Sequence, residues 1–422
     1  MTVWLALVGA AQAACTVITG AVVELPDGPA EGRTVVVVDD RIAAVDAQVA
    51  GLEVGDARAT YRGQACEIVP AEGGRLTPGL VVAPSSIGLV EVGLEQSSRG
   101  GNPETEDPVR ASQVIADSYD PLSVVIPVQR IQGITSALTV PSGGFVAGQA
   151  AFVRLHGATQ AAAVVDRSAA MVMSVPTASF ADGLREIREL VADVRTHARS
   201  PGLYDQGRPF FEGASRLDLE ALRPVAEGKQ PVLIRVDEAS DLEALVRLKK
   251  ELGLRIVVDG AAEGWLVADQ LAAAEIPVMV DPFLDGTAGF DQTHARPDNA
   301  ALLHAAGVQV ILAPGGESAH NVRVLRQGAG NAVREGMPHD AALQAITSVP
   351  AAVFGQAQRG RIAAGAAADL VLWSGDPLEL STAVQRMWIG GDPIALVSRQ
   401  TELRDKYRTL PGTPAPPLSL TP

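Results

Sequence analysis

The chain has 422 residues, of which 47% are hydrophobic and 20% charged, a balance that excludes intrinsic disorder and leaves room for one large core and a smaller one. A net charge of −15 argues against nucleic acid and anionic membranes as partners. With aromatic residues at only 4%, the cores must be built mainly from aliphatic side chains.

The N-terminal stretch MTVWLALVGAAQAAC carries a short apolar run, Val3 to Ala10, and an Ala-x-Ala site at Ala11 to Ala13. The run is too short to span a membrane. It reads as a signal peptide over residues 1–14 and implies a periplasmic or secreted protein. Cys15 and Cys66 each open a strand-like run, CTVITGAVV and CEIVPAEG. Two buried thiols and one disulfide are both open, and export favours the disulfide.

Residues 15–77 read as β-structure. TVITGAVVEL and RTVVVVDDRIAAVDA are β-branched runs split by the turn signal Pro26-Asp27-Gly28-Pro29. From Pro78 to residue 358, short apolar strands alternate with helices. LVVA (Leu80–Ala83) has the continuous apolar character of a strand buried on both faces. PVLIRV (Pro231–Val236), RIVVDG (Arg255–Gly260), IPVMVD (Ile276–Asp281) and VQVILAP (Val308–Pro314) follow as strands. DLEALVRLKKELG between the first two of these predicts a helix with Asp at its start and Gly at its end. Repeated βα units of this kind predict a (β/α)8 barrel. The glycine cluster GFVAGQA, from Gly144, predicts a loop rather than a phosphate cradle. β-signals return over 359–408, so both chain ends are expected to build one small β-sandwich. Residues 409–422 form a Pro-rich tail.

Three stretches carry a family resemblance. LTPGLVVAPSSIG, RIQGITSALTVPSGGFVAGQAAFVRL and ITSVPAAVFGQAQRGRIAAGAAADLVLWSGDPL resemble the first barrel strand, the second strand with its glycine-rich sequel, and the C-terminal signature of the amidohydrolase superfamily, in particular its imidazolonepropionase-like members. The resemblance implies a barrel, a composite β-sandwich and metal-dependent hydrolysis of C–N bonds in amides or cyclic amides. In that chemistry a divalent metal lowers the pKa of a bound water to about 7 and polarises the carbonyl. Its ligands are imidazoles and carboxylates at the C-terminal ends of barrel strands.

Carried over residue by residue, the family's ligand positions are degenerate here. The His-x-His pair after strand one falls on Pro84 and Ser86, the strand-five histidine on or near Arg235, and the strand-six histidine on or near Asp259. The strand-eight aspartate falls within APGGES, where Glu317 is the only carboxylate. Proline offers no ligand, and arginine is a fixed cation. An ion pair from Arg235 to Asp237 or Asp259 would stand where the metal would otherwise be; a bare surface position for Arg235 is the competing reading.

The six histidines show no i, i+2 or i, i+4 pair. His320, in GGESAHN, is either part of an acidic pocket with Asp259 and Glu317 or a helix-capping residue. Ser85, Ser86, Ser142 and Ser318 lack the Gly-x-Ser-x-Gly context of a serine nucleophile. The expectation is therefore an exported pseudoenzyme of the amidohydrolase family, without a cofactor, that partners an intact homologue or another copy of itself or binds a small-molecule ligand. The alternative is an active hydrolase using Asp259, Glu317 or His320, with zinc or another divalent metal or with no metal.

Overall fold

A computed structural model describes residues 14–55, 58–100, 107–175, 179–284, 286, 289–313 and 319–408. Residues 1–13 of the expected leader and the Pro-rich tail lie outside this set. Among the described residues no helix is long and apolar enough to cross a membrane.

The large core is an eight-stranded barrel in sequence order. Its strands are β1 (Leu80–Ser85), β2 (Ile134–Thr139), β3 (Val146–Arg154), β4 (Val164–Met173), β5 (Pro231–Val236), β6 (Arg255–Gly260), β7 (Val278–Val280) and β8 (Val310–Leu312). All neighbours pair in parallel except β2 with β3 and β3 with β4, so β3 alone runs backwards. This departs from a uniform βα alternation, and chain length explains it. Antiparallel neighbours need only a short turn, whereas parallel neighbours need a crossover of a dozen residues or more. The link Val140–Phe145 is too short for one, and Leu155–Ala163 has space only for the single turn Gln160–Ala163. The glycine cluster thus runs into a strand. Gly148 sits in β3 at φ +128°, where a β-carbon would lie 2.8 Å from the Gln113 carbonyl oxygen. Close backbone approach accounts for it.

The barrel is closed between β8 and β1 by a passing peptide. Val81 N–H donates to Ile346 O at 2.9 Å, and Leu312 N–H donates to Ala345 O at 3.2 Å. The lumen is packed solid with Val81, Ala83, Leu138, Val172, Leu233, Val257, Met279 and Ile311, with Phe354 among the residues at its base. Alternate residues such as Val232, Ile234 and Val258 face outward into the layer shared with the helices. The helix Ala239–Leu252 shows how the sequence builds that layer. Leu242, Leu245 and Leu248 recur at helical spacing and are buried, and Gly253 ends the helix in the left-handed region at φ 67°.

Two six-stranded sheets form the smaller core. One is built wholly from the N-terminal segment and pairs Cys15–Thr19 with Gln64–Pro70. The other joins Val22–Leu25, Gly28–Ala30 and Arg75–Pro78 to Leu370–Trp373, Val384–Ile389 and Asp392–Pro393, so both chain ends contribute as expected. Ile18, Val35, Val37, Leu76, Leu370 and Trp388 pack between them. The range 359–408 is not all β: Arg399–Arg408 is a helix. Cys15 and Cys66 lie on adjacent parallel strands, 4.5 Å apart at Cα, and are joined as a disulfide.

Trp373 connects the two cores. Its indole N–H donates to Thr77 Oγ1 at 2.8 Å, and the Arg326 guanidinium lies 4.8 Å above its ring. A β-carbon on Gly133, at φ +92°, would come within 2.3 Å of that ring.

Candidate functional site

Active residues of a barrel of this type gather at the C-terminal ends of the strands. Here that end is built first by β5 and β6. Leu233 and Val257 face the lumen, so the alternation of a strand sends Arg235 and Asp259, two residues on, into its mouth. The two are direct partners in the parallel register. Arg235 Nη1 lies 3.7 Å from Asp259 Oδ2; the arginine side chain is 59% exposed and the aspartate 12%. Asp281 continues the inward face two residues beyond Met279, and its Oδ1 accepts the Phe283 N–H at 2.9 Å.

A second, buried layer supports these ends. Asp237 Oδ1 accepts from Ala262 N–H at 3.2 Å and Oδ2 from Gln292 Nε2 at 3.1 Å. Burial, opposed by those two bonds and by the Arg235 charge, pushes the Asp237 carboxyl above the usual aspartate range. Gln292 Oε1 is buried without a hydrogen-bond partner among the described residues. Glu263 accepts from Ala239 N–H at 3.1 Å and from His294 N–H at 2.8 Å. Burial opposes its charge, yet these bonds and the His294 ring hold it below the usual glutamate range. Asn299 donates to Ala261 O at 2.8 Å and accepts from Trp265 N–H at 3.0 Å. Together these bonds fasten the segment after β7 to the ends of β5 and β6.

The other expected positions behave differently. Pro84 is buried within β1. Ser86 is half-buried, and its Oγ accepts the Ala319 N–H at 3.2 Å, tying the β1 end to the segment after β8. Ser85 is fully buried, with Oγ accepting from Ile87 N–H at 3.1 Å. Ser142 contributes its carbonyl to Arg110 Nη2 at 3.0 Å. His320 is exposed, and its backbone carbonyl accepts from Gln129 Nε2 at 3.3 Å. Glu317 and Ser318 lie outside the described residues. Of the remaining histidines, His156 pairs with Asp392, His294 with Glu263 and His339 with Asp376. His197 is buried against Tyr204 and Phe210, and His304 sits in the last turn of the helix Asn299–Ala305.

The sequence reading missed Asp281, Gln292 and Glu263. Asp281 had a signal: it closes IPVMVD much as Asp259 closes RIVVD. Gln292 had none, because its partner Asp237 is 55 residues away.

Among the described residues, the donor set at these positions does not fit a catalytic divalent metal; the strand-eight position, with Glu317, lies outside them. The members of the set are a proline, a serine hydroxyl bonded to a backbone amide, an arginine, and an aspartate shared with that arginine. A metal site needs deprotonated oxygen, nitrogen or sulfur donors converging at about 2.0–2.3 Å. Among the described residues no group of three or more His, Cys, Asp or Glu is placed to supply them.

Comparison with known proteins agrees with the architecture. Residues 319–395 match the model of the amidohydrolase family. The chain is 26% identical over 396 residues to "Amidohydrolase tasK" of Hapsidospora irregularis; the match takes in 83% of this chain but only 40% of that relative's length. It superposes on the crystal structure of an amidohydrolase from Thermotoga maritima MSB8 with a TM-score of 0.77 and 25% identity, over 90% of this chain and 99% of the other. Molinate hydrolase shares the fold at a TM-score of 0.56 and 16% identity, over 91% and 95% of the two chains. The barrel, the composite sandwich and these likenesses together support the amidohydrolase superfamily as the family of this chain.

Proposed function

We propose that this protein is an exported, non-catalytic amidohydrolase homologue whose barrel mouth binds a ligand or partner instead of activating water. One observation carries the reading: the Arg235–Asp259 pair, 3.7 Å apart at the ends of β5 and β6. The guanidinium brings positive charge to the mouth but no Lewis acidity and no site for a polarised water. It also repels a dication. At an effective dielectric of about 20 and a separation of about 5 Å, that repulsion is several kcal/mol. The Cys15–Cys66 disulfide supports the exported half of the reading, because such bonds persist in oxidising compartments. The partner would be an intact homologue or a second copy of this chain.

Calorimetric titration of zinc into chelator-treated protein tests the proposal. The expected result is no binding tighter than the millimolar range. Tight, stoichiometric zinc binding with hydrolysis of a cyclic amide would instead establish an active enzyme with an altered site.

A further inference from the structure

Among the described residues, three charges look into the barrel mouth: Arg235 and Asp259 from the inner faces of β5 and β6, and Asp281 just beyond β7. Beneath them the lumen is shut by Leu233, Val257 and Met279, all buried. A ligand therefore rests on an apolar floor and is held from its polar end. Arg235 is the open member of the set. Its side chain is 59% exposed, and its ion pair with Asp259, at 3.7 Å, is longer than a hydrogen bond. A guanidinium presents five N–H donors in a planar fork matched to a carboxylate. No hydrogen bond from Arg235 to another described residue fills that fork, so it is available to something entering the mouth.

The balance of charge decides what enters. Among the described residues one cation faces two carboxylates, and the Arg235 charge is also felt by the buried Asp237. A simple anion would meet one attraction and two repulsions. A simple cation would meet Arg235, the most exposed group. A molecule carrying a carboxylate and an ammonium a few ångströms apart satisfies both signs at once. We propose that the barrel mouth binds a small zwitterion, a free amino acid or short peptide, with its carboxylate on Arg235 and its ammonium toward Asp281 and Asp259. This rests on the metal-free reading above, since a dication would engage the same two carboxylates.

The test is calorimetry of the full chain with L-leucine and glycyl-L-leucine, and with their N-acetyl and C-terminal amide forms. At least one zwitterion is expected to bind in the millimolar range or tighter. Capping either end should weaken it by at least about tenfold, the loss of one charge-assisted contact. Arg235→Met should abolish the preference for free acid over amide, and Arg235→Lys should restore part of it. Asp281→Asn, which keeps an acceptor for the Phe283 N–H, should abolish the preference for free amine over acetylated amine. Capped and uncapped forms binding alike, or neither zwitterion binding up to about 10 mM, would overturn the assignment. Zinc titrated in parallel separates the two failures. Tight zinc binding defeats the metal-free reading; no zinc binding and no zwitterion binding defeats the ligand assignment alone.

Discussion

Arg235 and Asp259 stand side by side on β5 and β6 with opposite charges 3.7 Å apart, the arginine open to solvent and the aspartate nearly covered. That asymmetry separates a functional contact from a stabilising one. An ion pair with one solvated member contributes about 0–1 kcal/mol. Arg235→Met should therefore lower stability by less than about 1 kcal/mol in urea unfolding, while changing what the mouth binds. A loss of several kcal/mol would mean that the pair serves the fold.

Beside this pair, Asp237 is a buried carboxyl whose pKa is raised, chiefly by burial. In the folded state it holds its proton to higher pH than in the unfolded chain. Its contribution to stability is therefore fully present below the ordinary aspartate value and is lost as pH rises through the higher native value. Asp237→Asn should remove this pH dependence. The new amide can still accept from Ala262 N–H and can donate to Gln292 Oε1, which has no partner among the described residues. Equal or greater stability at pH 7, by up to about 1 kcal/mol, is expected from chemical unfolding at pH 5 and pH 7.

The disulfide links positions 51 apart. By the chain-entropy account, closing a loop of that length stabilises the fold by about 4 kcal/mol, and strain reduces the figure. Cys15→Ser with Cys66→Ser should lower stability by about 2–4 kcal/mol. Thiol labelling of unreduced, folded protein should find neither cysteine reactive.

Trp373 should be the most costly side chain to truncate at the junction of barrel and sandwich. It is fully buried, hydrogen-bonded to Thr77 and covered by Arg326. Trp373→Ala should cost about 3–5 kcal/mol, as large-to-small changes in a tight core do. Trp373→Phe keeps most of the volume and loses the N–H bond, for about 1–3 kcal/mol. Thermal unfolding of the two variants would rank them.

Restoring the family's first histidine pair should not restore its chemistry. Pro84→His and Ser86→His supply two imidazoles, but a stable zinc site takes three or four donors, and Arg235 would still face the metal. Zinc titration should show tight binding, at the earliest, when Arg235→His and Asp259→His are added. Tight binding by the double variant alone would show that further donors converge on the mouth.

Much of this architecture was legible because strands buried on both faces read as unbroken apolar runs, and βα alternation follows from them. PVLIRV and RIVVDG appear as strands in the structure over the same residues. The reversed β3 was not legible. It lies inside a stretch that reads as one strand followed by a glycine loop, and its direction is set by link lengths that show only once its ends are known. The Arg235–Asp259 contact could be anticipated because both residues close adjacent strands of one βαβ unit. The layer of Asp237, Gln292, Glu263 and Asn299 could not, since its bonds join segments far apart in sequence by folding alone.

Elemental analysis of protein isolated from its native compartment, without added metal, tests the central claim most directly. The account predicts less than a tenth of an equivalent of zinc, manganese, iron or nickel per chain, on the order of adventitious surface binding. One or two equivalents that survive dialysis against a chelator would contradict it and would show that the mouth of this barrel still holds a metal centre.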